Sequence, residues 1–150
     1  MVKLVDTKDL KSLPIGSASS SLAEGTTDML VKKLHFVIDN TDKTRLLRKK
    51  IFKKYKNFSP NKSDVIVVVG GDGFMLQILK KFQKYNKPFY GMNRGTFGFL
   101  MNKFKLHNLK KNISRAKLVS ISPLETEVRT KKNKILSAFA INEVSLFRQS

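Results

Sequence analysis

The chain of 150 residues carries 30 Lys and Arg against 11 Asp and Glu, which gives a formal net charge of +19. Its length suffices for one domain, or for one domain and part of another, and its lack of cysteine excludes disulfides and thiolate-bound zinc or iron-sulfur centres. No apolar run approaches the length that crosses a bilayer, and no apolar signal core follows Met1. We therefore expect a cytoplasmic protein with no membrane partner.

The positive charge predicts attraction to polyanions, which include nucleic acid and phosphorylated substrates. The basic residues are spread along the chain, however, and no nucleic-acid-binding motif accompanies them. We therefore favour a lysine-rich solvated surface over a dedicated nucleic-acid face, and we expect no specific nucleic-acid partner.

The first residues precede any clear hydrophobic pattern. Residues 12–27 are rich in Ser, Ala, Gly and Thr, with one Pro and little periodicity. We predict a flexible N-terminal extension over residues 1–28, whose deletion should leave folding and ligand binding unchanged.

The next segment, residues 29–117, alternates strand and helix patterns. A strand pattern over 33–39 is followed by a basic helix in which Leu47, Ile51 and Tyr55 share one face. The later predicted elements are a strand at 64–69 with five β-branched residues, a helix through 85, a short strand at 87–92, a glycine-punctuated turn at 93–100 and a helix at 106–113. This order predicts an α/β fold, a Rossmann-like parallel sheet flanked by helices.

Beyond Lys117 the pattern changes to strict alternation of apolar and polar residues. A turn at 131–134 separates two such runs, and residues 144–147 still have a strand pattern near the end of the chain. We predict that residues 118–150 are the first strands of a truncated, β-rich, β-sandwich-like second domain, because an isolated hairpin is marginally stable.

The turn Gly70-Gly71-Asp72-Gly73 lies between the buried strand and its helix. Backbone N–H groups without Cβ obstruction at a helix N-terminus bind phosphate. The alternative is a tight turn whose glycines only satisfy positive φ. Asp72 favours chemistry, because a carboxylate there repels phosphate unless it acts as a base or binds the accompanying metal.

Three motifs together resemble the ordered series of NAD kinases: the turn at 70–73, the stretch Gly91 to Leu100, and Asn142-Glu143. The glycine-rich turn is shared with diacylglycerol kinases and is similar to one in phosphofructokinases. Gly-Phe-Leu at 98–100 and the later Asn-Glu favour NAD kinase. The resemblance implies an α/β domain and a β-sandwich-like domain, with the active site between them.

The resemblance also implies the reaction, in which ATP with Mg²⁺ phosphorylates the adenosine 2'-hydroxyl of NAD to give NADP. Asp72 would be the catalytic base and would contact NAD, while Gly70, Gly71 and Gly73 would let the backbone approach phosphates. Gly73 would also line the NAD site.

Three further residues are implied as NAD ligands. Asn142 and Glu143 would bind NAD, with the Glu143 carboxylate accepting hydrogen bonds from ribose hydroxyls, and a polar pair that closes a strand is the open alternative. Phe99 resembles a residue that lines the dinucleotide pocket, and a core aromatic is the open alternative. Asn93 is either a ligand contact or a turn residue in the left-handed region.

Two other functions stay open: a diacylglycerol-type lipid kinase, and a non-catalytic basic module that binds nucleotide or nucleic acid. His35 and His107 are far apart in sequence, with no cysteine or acidic cluster nearby, so no protein metal site is predicted. Family resemblance implies homo-oligomers for the full-length protein. Because the second domain is expected to be incomplete, we expect residues 1–150 alone to form no measurable NADP.

Overall fold

The computed structural model describes residues 2–5, 30–93, 99–141 and 144–145. The strands in these ranges are β1 (Val2–Val5), β2 (Leu34–Ile38), β3 (Val65–Val69), β4 (Phe89–Asn93), β5 (Asn102–Lys103), β6 (Lys117–Ser120), β7 (Leu124–Arg129) and β8 (Ile135–Ala140). The α-helices are α1 (Asp42–Lys54), α2 (Asp72–Phe82) and α3 (Leu109–Ser114), with short 3-10 turns at Pro60–Lys62 and Gln83–Tyr85.

The main sheet has the strand order β2-β3-β4-β1-β6. Strands β2, β3, β4 and β1 are parallel, β5 runs parallel to the last residues of β4, and β6 is antiparallel to β1. The prediction of a parallel sheet flanked by helices is confirmed.

The core lies on both faces of this sheet, and β3 is therefore buried along its whole length. Val65, Val67 and Val69 pack on one side with apolar residues of α1 and α3. Ile66 and Val68 pack on the other side against α2. Five consecutive β-branched residues thus form a central strand covered by two helical layers, as predicted.

Asp64, just before β3, binds the backbone of the residues that lead into β2. Its Oδ2 accepts the backbone N–H groups of Lys32 and Lys33 at 2.9 and 2.7 Å. Burial raises the pKa of the Asp64 carboxyl, but those two N–H donors and the charges of Lys33 and Lys87 outweigh burial and leave the pKa below its ordinary value. The ionised carboxylate therefore stabilises the folded chain.

The N-terminal residues differ from the expectation of a flexible extension. Val2–Val5 form β1, which lies between β4 and β6 and pairs with both. The predicted extension over residues 1–28 is therefore wrong for these four residues, because the sheet supplies hydrogen-bond partners on both sides of the strand. Residues 6–29 lie outside the described part of the chain.

The start of the second unit also shifts. Lys117–Ser120 belong to the main sheet as β6, so the change of sheet comes after Ser120 and not after Lys117. Strands β7 and β8 then form an antiparallel hairpin of their own, with Leu124 opposite Ala140 and Arg129 opposite Ile135. The predicted hairpin is confirmed.

Smaller differences concern the segment before β6. The helix predicted at 106–113 begins at Leu109, because Asn108 adopts the left-handed region with φ 51°, and Leu106 packs against the core ahead of it. Strand β5 was not predicted, since its two residues are too few to show a period. Within the described ranges, no helix is both long and apolar enough to cross a membrane.

Candidate active site

Polar groups collect where the parallel strands β2, β3 and β4 end. The N–H of Asp39, just after β2, donates to the Val69 carbonyl at 2.9 Å, and the N–H of Gly70 donates to the Met92 carbonyl at 3.1 Å. Open α/β sheets bind their ligands at the carboxyl ends of the strands. The glycine-rich turn thus lies at the edge of the sheet where a ligand is expected.

The turn is extended and not left-handed. Gly71 caps α2 with φ −98° and ψ 178°, and its carbonyl accepts the N–H of Met75 at 3.0 Å as the helix begins. None of the glycines in the described ranges has positive φ. The alternative that these glycines serve only to permit positive φ is therefore wrong.

The space around each glycine explains its presence instead. A Cβ on Gly70 would lie 2.7 Å from Cδ1 of Phe74 and 3.2 Å from Cβ of Asp39, so this glycine permits close packing. A Cβ on Gly71 or Gly73 would meet nothing within 4 Å. The first turn of α2 therefore presents open backbone at the positive end of the helix, as an anion site requires.

Asp72 is the first residue of α2. Its carboxylate accepts hydrogen bonds from the backbone of the Gly-Phe-Leu motif at 98–100. Its Oδ2 accepts the N–H of Phe99 at 2.8 Å, and its Oδ1 accepts the N–H of Leu100 at 3.2 Å. A carboxylate has about four acceptor positions, so these two bonds orient the group and leave capacity for another donor. The glycine-rich turn and the Gly-Phe-Leu motif thus meet at one side chain.

The match to a family decides what this arrangement belongs to. A family model described as the ATP-NAD kinase N-terminal domain matches residues 17–117. The chain belongs to this family. The resemblance predicted from the motifs is confirmed, and membership of the NAD kinase family decides against the diacylglycerol-kinase alternative.

Curated NAD kinases give the same result along the sequence. The NAD kinase of Brucella suis biovar 1 (strain 1330) is 45% identical over 117 residues, which cover 78% of this chain and 46% of the relative. The NAD kinase of Rhizobium meliloti (strain 1021) is 47% identical over 96 residues, 64% of this chain and 37% of the relative. That of Rickettsia conorii (strain ATCC VR-613 / Malish 7) is 34% identical over 122 residues, 81% and 48%. The chain spans about half the length of these relatives.

Two residues left ambiguous by the sequence have defined positions within the NAD kinase domain. The side chain of Phe99 is 72% exposed, so the core-aromatic alternative is wrong. Asn93 ends β4 and is not among the described residues with positive φ, so it is not a left-handed turn residue. Their contacts with NAD stay predictions. Asn142 and Glu143 lie outside the described residues.

His35 has structural contacts, whereas His107 is exposed. Nδ1 of His35 donates to the Phe58 carbonyl at 2.7 Å, and its ring lies 5.6 Å from that of Phe82. Among the side chains that the structure describes, no three His, Asp or Glu residues cluster as metal ligands.

Sequence reasoning missed two features of the site. The donors to Asp72 are backbone N–H groups, which cannot be predicted from residue type because nearly every residue has one. Asn102 is buried, and its Nδ2 donates to the Gly91 carbonyl at 2.9 Å. Its only signal in the sequence is a polar residue among apolar neighbours, which is weak.

Proposed function

We propose that this chain supplies the nucleotide-binding and catalytic half of an NAD kinase, which transfers the γ-phosphoryl group of ATP to the adenosine 2'-hydroxyl of NAD. The observation that carries the proposal is the Asp72 carboxylate, which lies at the open N-terminus of α2 and is oriented by the N–H groups of Phe99 and Leu100. The proposed base and the proposed phosphate-binding turn are thus adjacent.

The chemistry asks the protein mainly for positioning and charge neutralisation. As the 2'-oxygen attacks the γ-phosphorus, the bond to the bridging oxygen of ATP breaks and ADP leaves. Asp72 accepts the hydroxyl proton. Phosphates would approach the backbone at Gly71 and Gly73, where a Cβ would meet no protein atom within 4 Å.

Magnesium would enter with ATP. Mg²⁺ keeps several waters and uses one or two carboxylates together with substrate phosphates, which fits a described site with Asp72 in the turn and Asp39 beside Gly70 but without a three-ligand cluster. When bound, the ion would neutralise phosphate charge. The roles of Phe99, Asn142 and Glu143 toward NAD, the homo-oligomer and the cytoplasmic location stay predictions.

A fusion protein tests the proposal. Residues 1–150 are joined to the part of the Brucella suis NAD kinase that follows its matched region, and NADP is assayed with a coupled dehydrogenase. We expect turnover, and we expect Asp72→Asn to lower kcat by about two to four orders of magnitude because basicity is lost while size is kept.

The matched control is Asp64→Asn, which removes a carboxylate from the opposite end of β3. This variant should keep kcat per folded molecule. A fusion that folds and binds ATP without forming NADP, or an Asp72→Asn variant with normal turnover, would overturn the proposal.

A further inference from the structure

The segment from Phe99 to Asn102 is the support of the Asp72 carboxylate. Its first two residues donate their N–H groups to that carboxylate. It then joins the main sheet through β5, which pairs with β4 over only two residues, Met92 with Asn102 and Asn93 with Lys103. So short a ladder gives little hold by itself, and the segment needs other contacts to keep a fixed position.

Asn102 supplies one such contact. The residue is 1% exposed, and its Nδ2 donates to the Gly91 carbonyl at 2.9 Å. Gly91 belongs to β4, which pairs with β3 in the middle of the sheet, where Val68 is its partner. The buried amide thus ties the segment to a buried strand inside the main sheet, and its loss would leave the Gly91 carbonyl without this donor.

Gly91 supplies the second contact by lacking a side chain. A Cβ there would lie 2.5 Å from Sδ of Met101 and 3.2 Å from the Leu100 carbonyl oxygen. The backbone that carries a donor to Asp72 therefore lies directly on β4, so close that a Cβ on Gly91 would press on the Leu100 carbonyl oxygen. A methyl group would push this backbone outward by a few tenths of an ångström.

We infer that Asn102 and Gly91 are positioning residues for Asp72, acting through the Phe99–Asn102 segment. Asn102 binds the segment to β4 through its hydrogen bond, and Gly91 allows the segment to lie close to that strand. The N–H groups of Phe99 and Leu100 then fix the position of the Asp72 carboxylate. The consequence for catalysis rests on the proposed function, whereas the link from Asn102 to the Asp72 carboxylate does not.

The link is measured by NMR on the chain of 150 residues. In Asn102→Ala, the amide signals of Phe99 and Leu100 and the carboxyl carbon signal of Asp72 should shift. Ser63→Ala is the matched control, because Ser63 is also 1% exposed and its hydroxyl donates to the Pro60 carbonyl at 2.9 Å. Both variants should lower the free energy of unfolding, and only Asn102→Ala should move the three site signals.

A steric variant keeps the test decisive if Asn102→Ala does not fold. Gly91→Ala should shift the same three signals, and Met101→Ala added to it should restore them in part, since it removes the Sδ and Cε contacts and leaves the contact with the Leu100 oxygen. Unchanged site signals in Asn102→Ala or Gly91→Ala, or equal shifts in Ser63→Ala, would overturn the inference.

The fusion protein gives the catalytic readout. Asn102→Ala should lower kcat per folded molecule by about ten- to hundredfold with little change in KM for ATP, because a displacement of about 1 Å has costs of this order. A variant with shifted site signals and unchanged kcat contradicts the positioning role. If the unsubstituted fusion forms no NADP, the proposed function fails while the NMR result still decides the structural link.

Discussion

Glycines 70, 71 and 73 share one turn but differ in what surrounds them. At Gly70 an added methyl group would collide with Phe74, so Gly70→Ala should cost about 1–3 kcal/mol of stability, as overpacking does. At Gly71 and Gly73 the protein leaves the space empty. Substitution there separates what the glycines do for a ligand from what they do for the fold.

Gly73→Ala makes this separation testable. Ala is a better helix former than Gly by up to about 1 kcal/mol, and the new methyl group meets no protein atom within 4 Å. We expect the free energy of unfolding to stay level or rise in urea titrations, while the affinity for ATP measured by calorimetry falls. Gln77→Ala, at an exposed position on the same helix, should leave affinity unchanged. Equal affinity in both variants would contradict the assignment of a phosphate site to this turn.

Among the elements, β1 has a consequence for stability that the sequence did not predict. It gives β4 a partner at Phe89 and Tyr90 and gives β6 its antiparallel partner over four residues. Without it, two strands keep unpaired edges. Deleting residues 1–5 should therefore lower the free energy of unfolding, contrary to the expectation of a dispensable N-terminus.

Hydrogen exchange locates that effect. Amides of β6 should lose more protection in the deletion variant than amides of α1. Helix α1 packs against β2 and β3, which lie at the opposite end of the strand order from β6. If the deletion leaves both the free energy of unfolding and the β6 amides unchanged, the pairing of β1 does not contribute to the folded state.

The elements that could be predicted are those whose signal is local. Helix α1 shows a period of about four residues, and β3 shows an unbroken β-branched run. Strand β1 has only four residues, and its pairing with β4 joins positions far apart in the chain. At the site, residue type and spacing single out Asp72, whose catalytic role stays a prediction. Its backbone donors, and Asn102 beneath them, depend on tertiary geometry that no single sequence displays.

At the scale of the whole molecule, pH acts on stability through few carboxylates, since acidic residues number 11 in 150. Asp64 has a folded-state pKa below its ordinary value. Between the folded and unfolded pKa values the unfolded chain binds more protons. The contribution of Asp64 is therefore fully present above the unfolded pKa and is lost as pH falls through the folded pKa.

Urea titrations of the chain and of Asp64→Asn check this at a series of pH values. The chain should be the more stable protein near neutral pH, because Asn offers a weaker acceptor to the N–H groups of Lys32 and Lys33. The difference between the two should shrink as pH falls below the folded pKa. A difference that does not depend on pH would mean that the carboxylate charge contributes nothing.

The position of β1 also bears on the order in which the fold is built during synthesis. Val2–Val5 leave the ribosome before Phe89 and Val119, which face Lys3 from either side. Strands β2, β3 and β4 can pair with one another before β1 joins the sheet. Strand β1 can pair with β4 only after β4 has been made, so completing the sheet requires a long-range contact, which is slow to form. An affinity tag fused at Met1 would be attached directly beside this inner strand.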